Sequence, residues 1–194
     1  NDIVIPEGVT LIKDYLLCSC SSLKSITIPN GVTSIGKHAF DECSKLQSII
    51  FPESVTSIGT YAFFRCLSMQ SISIPKGVTS IQNDVFSSCK GLQSITVPES
   101  VRRIGEGGFS SCSSLKSIVI PKSVKTIEWY AFDGCSMLET VIYLGNSISS
   151  YGCYREFAYT KVTHIYVIEE YDSNSFLDFP VVKMSGKCGE KLNY

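Results

Sequence analysis

One spacing dominates this sequence and limits what it can fold into: a pattern that returns every 23 residues, six times, without a gap. Ile3, Ile26, Ile49, Ile72, Ile95 and Ile118 keep that interval, and Pro6, Pro29, Pro52, Pro75, Pro98 and Pro121 keep it too. A further column holds Leu17, Phe40, Phe63, Phe86, Phe109 and Phe132. Another holds Cys20, Cys43, Cys66, Cys89, Cys112 and Cys135. Self-similarity at a fixed period of this length marks a solenoid, because so short a unit cannot bury its own apolar face and must stack on its neighbours.

One rung reads Cys-x-x-Leu-x-Ser-Ile-x-Ile-Pro-x-x-Val-x-x-Ile-x-x-x-Ala-Phe. The two Ile that alternate across one residue predict a short strand with both side chains on one face. Pro closes that strand because it has no N–H to give the ladder. After a two-residue turn, often with Gly (Gly8, Gly31, Gly77), Val and Ile predict a second extended piece. The Ala-Phe-x-x-Cys segment is expected to return as a tight 3₁₀ or single helical turn.

This rung resembles the leucine-rich repeats of the BspA-like (Treponema pallidum) class, whose Leu-x-x-Ile-x-Ile-Pro…Val-x-x-Ile-Gly-x-x-Ala-Phe-x-x-Cys pattern is carried here by Leu46 to Cys66. The resemblance covers about residues 3–140, with Leu16-Leu17, Val85 and Gly108 as local departures. It implies a right-handed leucine-rich-repeat superhelix, rich in β-structure. It also implies a cell-surface or secreted module that adheres to host or matrix proteins. In such repeats Asn or Cys at the bend satisfies backbone carbonyls.

From Val141 the pattern decays. Val141-Ile142-Tyr143 predicts a seventh strand, with Leu144 where Pro should stand. Val162, Ile165 and Val167 predict an eighth, displaced by one residue. The expected organisation is a solenoid over 1–163 (regular repeats 3–140, a degenerate one 141–163), then a last strand and C-terminal cap over 164–194. No N-terminal cap is visible, which suggests a trimmed start or a longer parent protein. The edge of the first rung could pair with a second copy, so a monomer or an end-to-end dimer is expected.

Composition closes several routes. With 17 basic and 18 acidic side chains the net charge is −1, so no basic field exists to attract nucleic acid. No apolar run approaches the ~20 residues that span a bilayer. The two histidines, His38 and His164, have no acid or nucleophile at a diagnostic spacing. No phosphate loop, nucleophile elbow or metalloprotease motif is present. The sequence therefore predicts no enzyme, no cofactor and no metal site, but a surface for binding.

Two exposed columns are expected to line the sheet face: Lys24, Gln47, Gln70, Gln93, Lys116 and Glu139, beside a serine column, and Thr27, Ile50, Ser73, Thr96, Val119 and Ile142. β-branched residues favour exposed strands in any case, yet together the columns form a broad, weakly charged face of the kind repeat solenoids use for protein partners. Ile50, Val119 and Ile142 would be its apolar points. Arg102, Arg103, Lys122 and Lys125 could form a basic patch for an anionic partner such as a sulfated glycan, with Trp129 beside it; a solvated face balanced by Glu99, Glu106 and Glu128 is the plainer reading. An intracellular scaffold is the alternative to adhesion.

The cysteine column is expected to hold buried structural thiols, although stacked rungs ~4.8 Å apart bring neighbours within disulfide reach. Off the column, Cys153 and Cys188 could bridge the tail to the last rungs, leaving Cys18 unpaired. Glu53, Lys76, Glu99 and Lys122 alternate in sign down one column and predict ion pairs between rungs.

Overall fold

The computed structural model describes residues 3–148 and 155–184. Each rung has three sides, and each side follows from its sequence. The first is a strand: Ser25–Thr27, Ser48–Ile50, Ser71–Ser73, Ser94–Thr96, Ser117–Ile120 and Thr140–Tyr143 in successive rungs. Neighbours run parallel and in register, Ile26 opposite Ile49 and Ile118 opposite Val141. Alternation turns Ile26, Ile49, Ile72 and Ile118 into the core and leaves the serines outside.

The second side holds two-residue strands, from Leu11–Ile12 and Ser34–Ile35 through Arg103–Ile104 to Thr126–Ile127. Between the two sides the chain turns at proline, where the Val32 amide donates to the Pro29 carbonyl and Val78 repeats the contact with Pro75. Gly8 and Gly31 take left-handed φ values of 87° and 100° at this corner, a conformation open to glycine without steric cost.

The third side differs from expectation: among the described residues the returns contain no helix. Alternate amides reach the next rung, Tyr15 to the Lys37 carbonyl, Leu17 to Ala39 and Ser19 to Asp41. The amides between them bond locally, Leu16 to Lys13 and Cys18 to Tyr15. A helix would need all of these donors for itself. Two residues per return adopt left-handed φ, such as His38 and Glu42 (54° and 57°) or Tyr61 and Arg65 (58° and 55°), and that reversal is incompatible with a continuing right-handed turn.

Stacking makes one continuous core. Phe40, Phe63, Phe86, Phe109, Phe132 and Phe157 form an unbroken file of near-parallel rings with centroids 5.0 to 5.7 Å apart. Such pairs add about 0.5–1.5 kcal/mol each beyond their buried area. Phe157 follows Phe132 by 25 residues rather than 23, so the degenerate rung keeps its ring in line despite the longer spacing.

At the C-terminal end Ile165–Ile168 pairs with Thr140–Tyr143 at a 24-residue offset, Val141 opposite Ile165, which is the displaced eighth strand. Phe179–Met184 then adds a further parallel strand, with Ile165 opposite Val181. Ser175–Phe176 folds back on it antiparallel through Leu177 and Asp178, both at positive φ. A two-residue loop with both residues left-handed matches the twist of a hairpin. Phe176 and Tyr171 close over buried Tyr143, which stands where earlier rungs have Ile, Val or, at position 51, Phe.

Candidate functional site

The sheet face is uncovered. Thr27, Ile50, Ser73 and Thr96 are exposed along it, as are Gln47, Gln70, Gln93 and Lys116 at the strand starts. Ile50 is 66% exposed, a large aliphatic side chain between Thr27 and Ser73, and Val4 in the same column is 84% exposed. Val119 and Ile142, expected as further exposed apolar points, are half-buried. Val119 instead forms part of a depression of about 240 Å³ with Ile95, Thr96, Pro98, Pro121 and Leu144. Here Ile95 is half-buried where Ile26, Ile49, Ile72 and Ile118 are buried, and Leu144, in the proline position, supplies one wall. Tyr166 and Val182 extend the exposed apolar points toward the C-terminal end.

Within the basic group, Arg102 and Lys125 stand on neighbouring rungs, where the Lys125 amide donates to the Arg102 carbonyl. Arg103 is half-buried and turned to Glu128, with Nε and Nη2 2.5 and 2.6 Å from the two carboxylate oxygens and Nη2 also 2.9 Å from the Asn83 side-chain oxygen. A bidentate pair held this way has little to offer a further anion. Arg102 folds back to donate to the Glu99 and Ser100 carbonyls. Lys122 and Lys125 stay exposed. Trp129, next in sequence to Glu128, is 46% exposed.

The alternating charge column also differs from expectation. Among the described residues the ion pairs are His38–Asp41, Glu42–Arg65, Arg103–Glu128 and Glu139–Lys161. Glu53, Lys76, Glu99 and Lys122 are in none of these pairs.

The thiol column is buried at Cys43, Cys66, Cys89, Cys112 and Cys135, with Cys20 half-buried, and every one is a free thiol. Each buried thiol donates to a carbonyl 26 residues earlier: Cys43 to Leu17 at 3.1 Å, Cys66 to Phe40 at 3.2 Å, Cys89 to Phe63 at 3.1 Å. Cys112 and Cys135 repeat the bond to Phe86 and Phe109. Burial pushes Cys43 and Cys89 up to about 12, and Cys66 and Cys112 well above the usual thiol range. The expected Cys153–Cys188 bridge lies outside the described residues.

Three features escaped the sequence. His38 is sandwiched between Tyr15 and Tyr61, with ring centroids 4.7 and 4.8 Å away, and its Nδ1 sits 2.7 Å from Asp41. Glu42 and Arg65 pair across one rung step. Glu42 and Arg65 line a groove that runs over the bends of the first four rungs. The 23-residue register already aligned these columns; their depth and side-chain directions could not be read from it.

Parallel in-register strands, a continuous core and a file of bend thiols bonded to carbonyls define a leucine-rich-repeat solenoid. The family model for the BspA type leucine rich repeat region matches six copies over residues 1–105 and 56–179, and the chain belongs to that family. Among solved structures, a leucine-rich repeat protein from Bacteroides ovatus is 34% identical, with a TM-score of 0.78 over 88% of this chain and 44% of that one. The chain therefore spans less than half of that protein's length. The Treponema pallidum leucine-rich repeat protein is 29% identical, with a TM-score of 0.69, over 100% of this chain and 83% of the other. The pneumococcal vaccine antigen PcpA shares the fold at 15% identity and a TM-score of 0.53, over 87% of this chain and 64% of that one. A comparison with curated proteins gives no match.

Proposed function

We propose that this chain is a protein-binding module, displayed at a cell surface or secreted, that adheres to host or matrix proteins through its sheet face. The observation that carries this reading is the uncovered face itself, with Ile50 exposed and the apolar depression beside Val119. Binding energy in protein interfaces concentrates in a few apolar or aromatic anchors ringed by near-neutral polar contacts. The serine, threonine and glutamine columns supply such a ring, and the depression can take one apolar side chain. The low charge of the face fits recognition by shape and hydrogen bonding rather than by electrostatic steering. The surface location and the adhesive role follow from family resemblance and rest on no contact in the molecule.

The test is capture of extracellular-matrix and plasma proteins by the immobilised chain, compared with an Ile50→Lys, Val119→Lys double variant. Partners should be captured by the wild type and lost by the variant. A wild type that captures nothing would defeat the adhesive reading.

A further inference from the structure

The six rungs can serve as an alignment of the molecule with itself. In the left-handed column at the bend they read Ser19, Glu42, Arg65, Ser88, Ser111 and Gly134. Two residues later they read Ser21, Ser44, Leu67, Lys90, Ser113 and Ser136. Serine or glycine meets the needs of the stack in most rungs. The departures fall together in three consecutive rungs, Glu42, then Arg65 and Leu67, then Lys90. All four line one groove of about 570 Å³ that crosses the first four rungs, a volume in the usual range for ligand sites.

Stability does not account for these residues. The Glu42–Arg65 pair is 2.9 Å long, but its side chains are 48% and 55% exposed, and pairs of that kind contribute little. What the contacts do is hold Arg65 still. Its guanidinium is fixed by Glu42 on one side and lies over the Phe64 ring, 5.3 Å from the centroid. A cation held in place spends less freedom on binding than one free in solvent.

We propose that this groove binds an acidic oligosaccharide. Ser21 and Ser44 stand one rung apart, a spacing of ~4.8 Å, Ser19 and Ser88 lie at the two ends of the groove, and each hydroxyl can both donate and accept. Hydroxyls set along a groove beside two cations and an apolar side chain suit a chain of polyhydroxylated, charged rings. Leu67, 42% exposed, gives a sugar ring an apolar surface to lie against. Arg65 and Lys90 outweigh Glu42 by one positive charge, so the ligand carries a carboxylate or sulfate. Glu42 accepts from its hydroxyls. The groove is separate from the sheet face and from Arg102 and Arg103, and the proposal stands without the protein-binding reading.

The experiment is calorimetric titration with four probes: a hyaluronan hexasaccharide, a heparin-derived hexasaccharide, a neutral cellohexaose and a short poly-glutamate peptide. An acidic hexasaccharide should bind best. Affinity should fall at least roughly tenfold in Arg65→Ala with Lys90→Ala, while Arg102→Ala with Lys125→Ala and Ile50→Lys with Val119→Lys leave it unchanged. Thermal melting checks that each variant folds. Leu67→Glu, which keeps both cations, should also weaken binding, by repulsion. Failure of both acidic saccharides to bind, tighter binding of the neutral sugar or the peptide, or equal binding by the Arg65/Lys90 variant would overturn the proposal.

Discussion

Each buried column thiol does something a methyl group could not: it gives a carbonyl of the preceding rung a second hydrogen bond, beside the one from that rung's own cysteine amide. Burial also holds its proton. The thiols of Cys43 and Cys89 titrate near 12 when folded, while an unfolded chain loses those protons near 9. A group whose pKa is raised by folding contributes stability fully below its unfolded value and loses it as pH rises through the folded one. Denaturant midpoints should therefore fall steadily between pH 9 and pH 12. In the same way, site-resolved alkylation at pH 8 should label half-buried Cys18 and Cys20 before Cys43 and Cys89, which it should reach only on unfolding, because the thiolate is the reactive form. A second residue-scale prediction concerns Ser111, whose φ is 58°. Ser111→Gly should stabilise by about 0.5 kcal/mol, the difference between left-handed strain and the entropy glycine loses on folding. Ser111→Val should cost about 1–2 kcal/mol at the same position; urea titration distinguishes the two. That this column is left-handed was not legible in the sequence, because Ser, Glu and Arg carry no such signal and only Gly134 hints at it.

At the scale of the element, the strands and the phenylalanine file were legible because a 23-residue period with alternating isoleucines admits one inward face. The returns were not. Their local pattern fits a tight helical turn, and only the neighbouring rung, by taking alternate amides, decides against it. Side chains that reach across rungs were hidden for a related reason. Arg103 pairs with Glu128, 25 positions on, as well as with Ser80, one repeat back. The strand Phe179–Met184 belongs to no repeat, and periodicity had no means of finding it. The file of rings makes a definite claim on stability. Phe86 is fully packed between Phe63 and Phe109, and Phe86→Ala should cost about 3–5 kcal/mol in denaturant unfolding. Leu17→Ala, at the end of the file with a neighbour on one side, should cost less.

For the whole molecule, stacking divides the sequence into two sets of positions with little overlap. The inward columns make each rung adhere to the next, and stability is then close to a sum over rungs and their interfaces. The outward columns are free to vary, and that is where Ile50, Val119, Arg65 and Lys90 stand. The placement of the sheet face was legible in the sequence, since strand alternation dictates it. The depression at Val119 was not, because it depends on how Leu144 and two prolines pack around it. This division predicts that binding and stability can be changed separately. The most direct measurement is the dissociation constant for a protein captured from the matrix and plasma panel, taken for the wild type, for Ile50→Lys with Val119→Lys, and for Arg102→Ala with Lys125→Ala, each beside its unfolding midpoint. The account predicts that the sheet-face variant loses binding with its midpoint little changed, while the variant on the other side binds as the wild type does. Equal binding by the sheet-face variant would contradict it and move the site to another side of the solenoid.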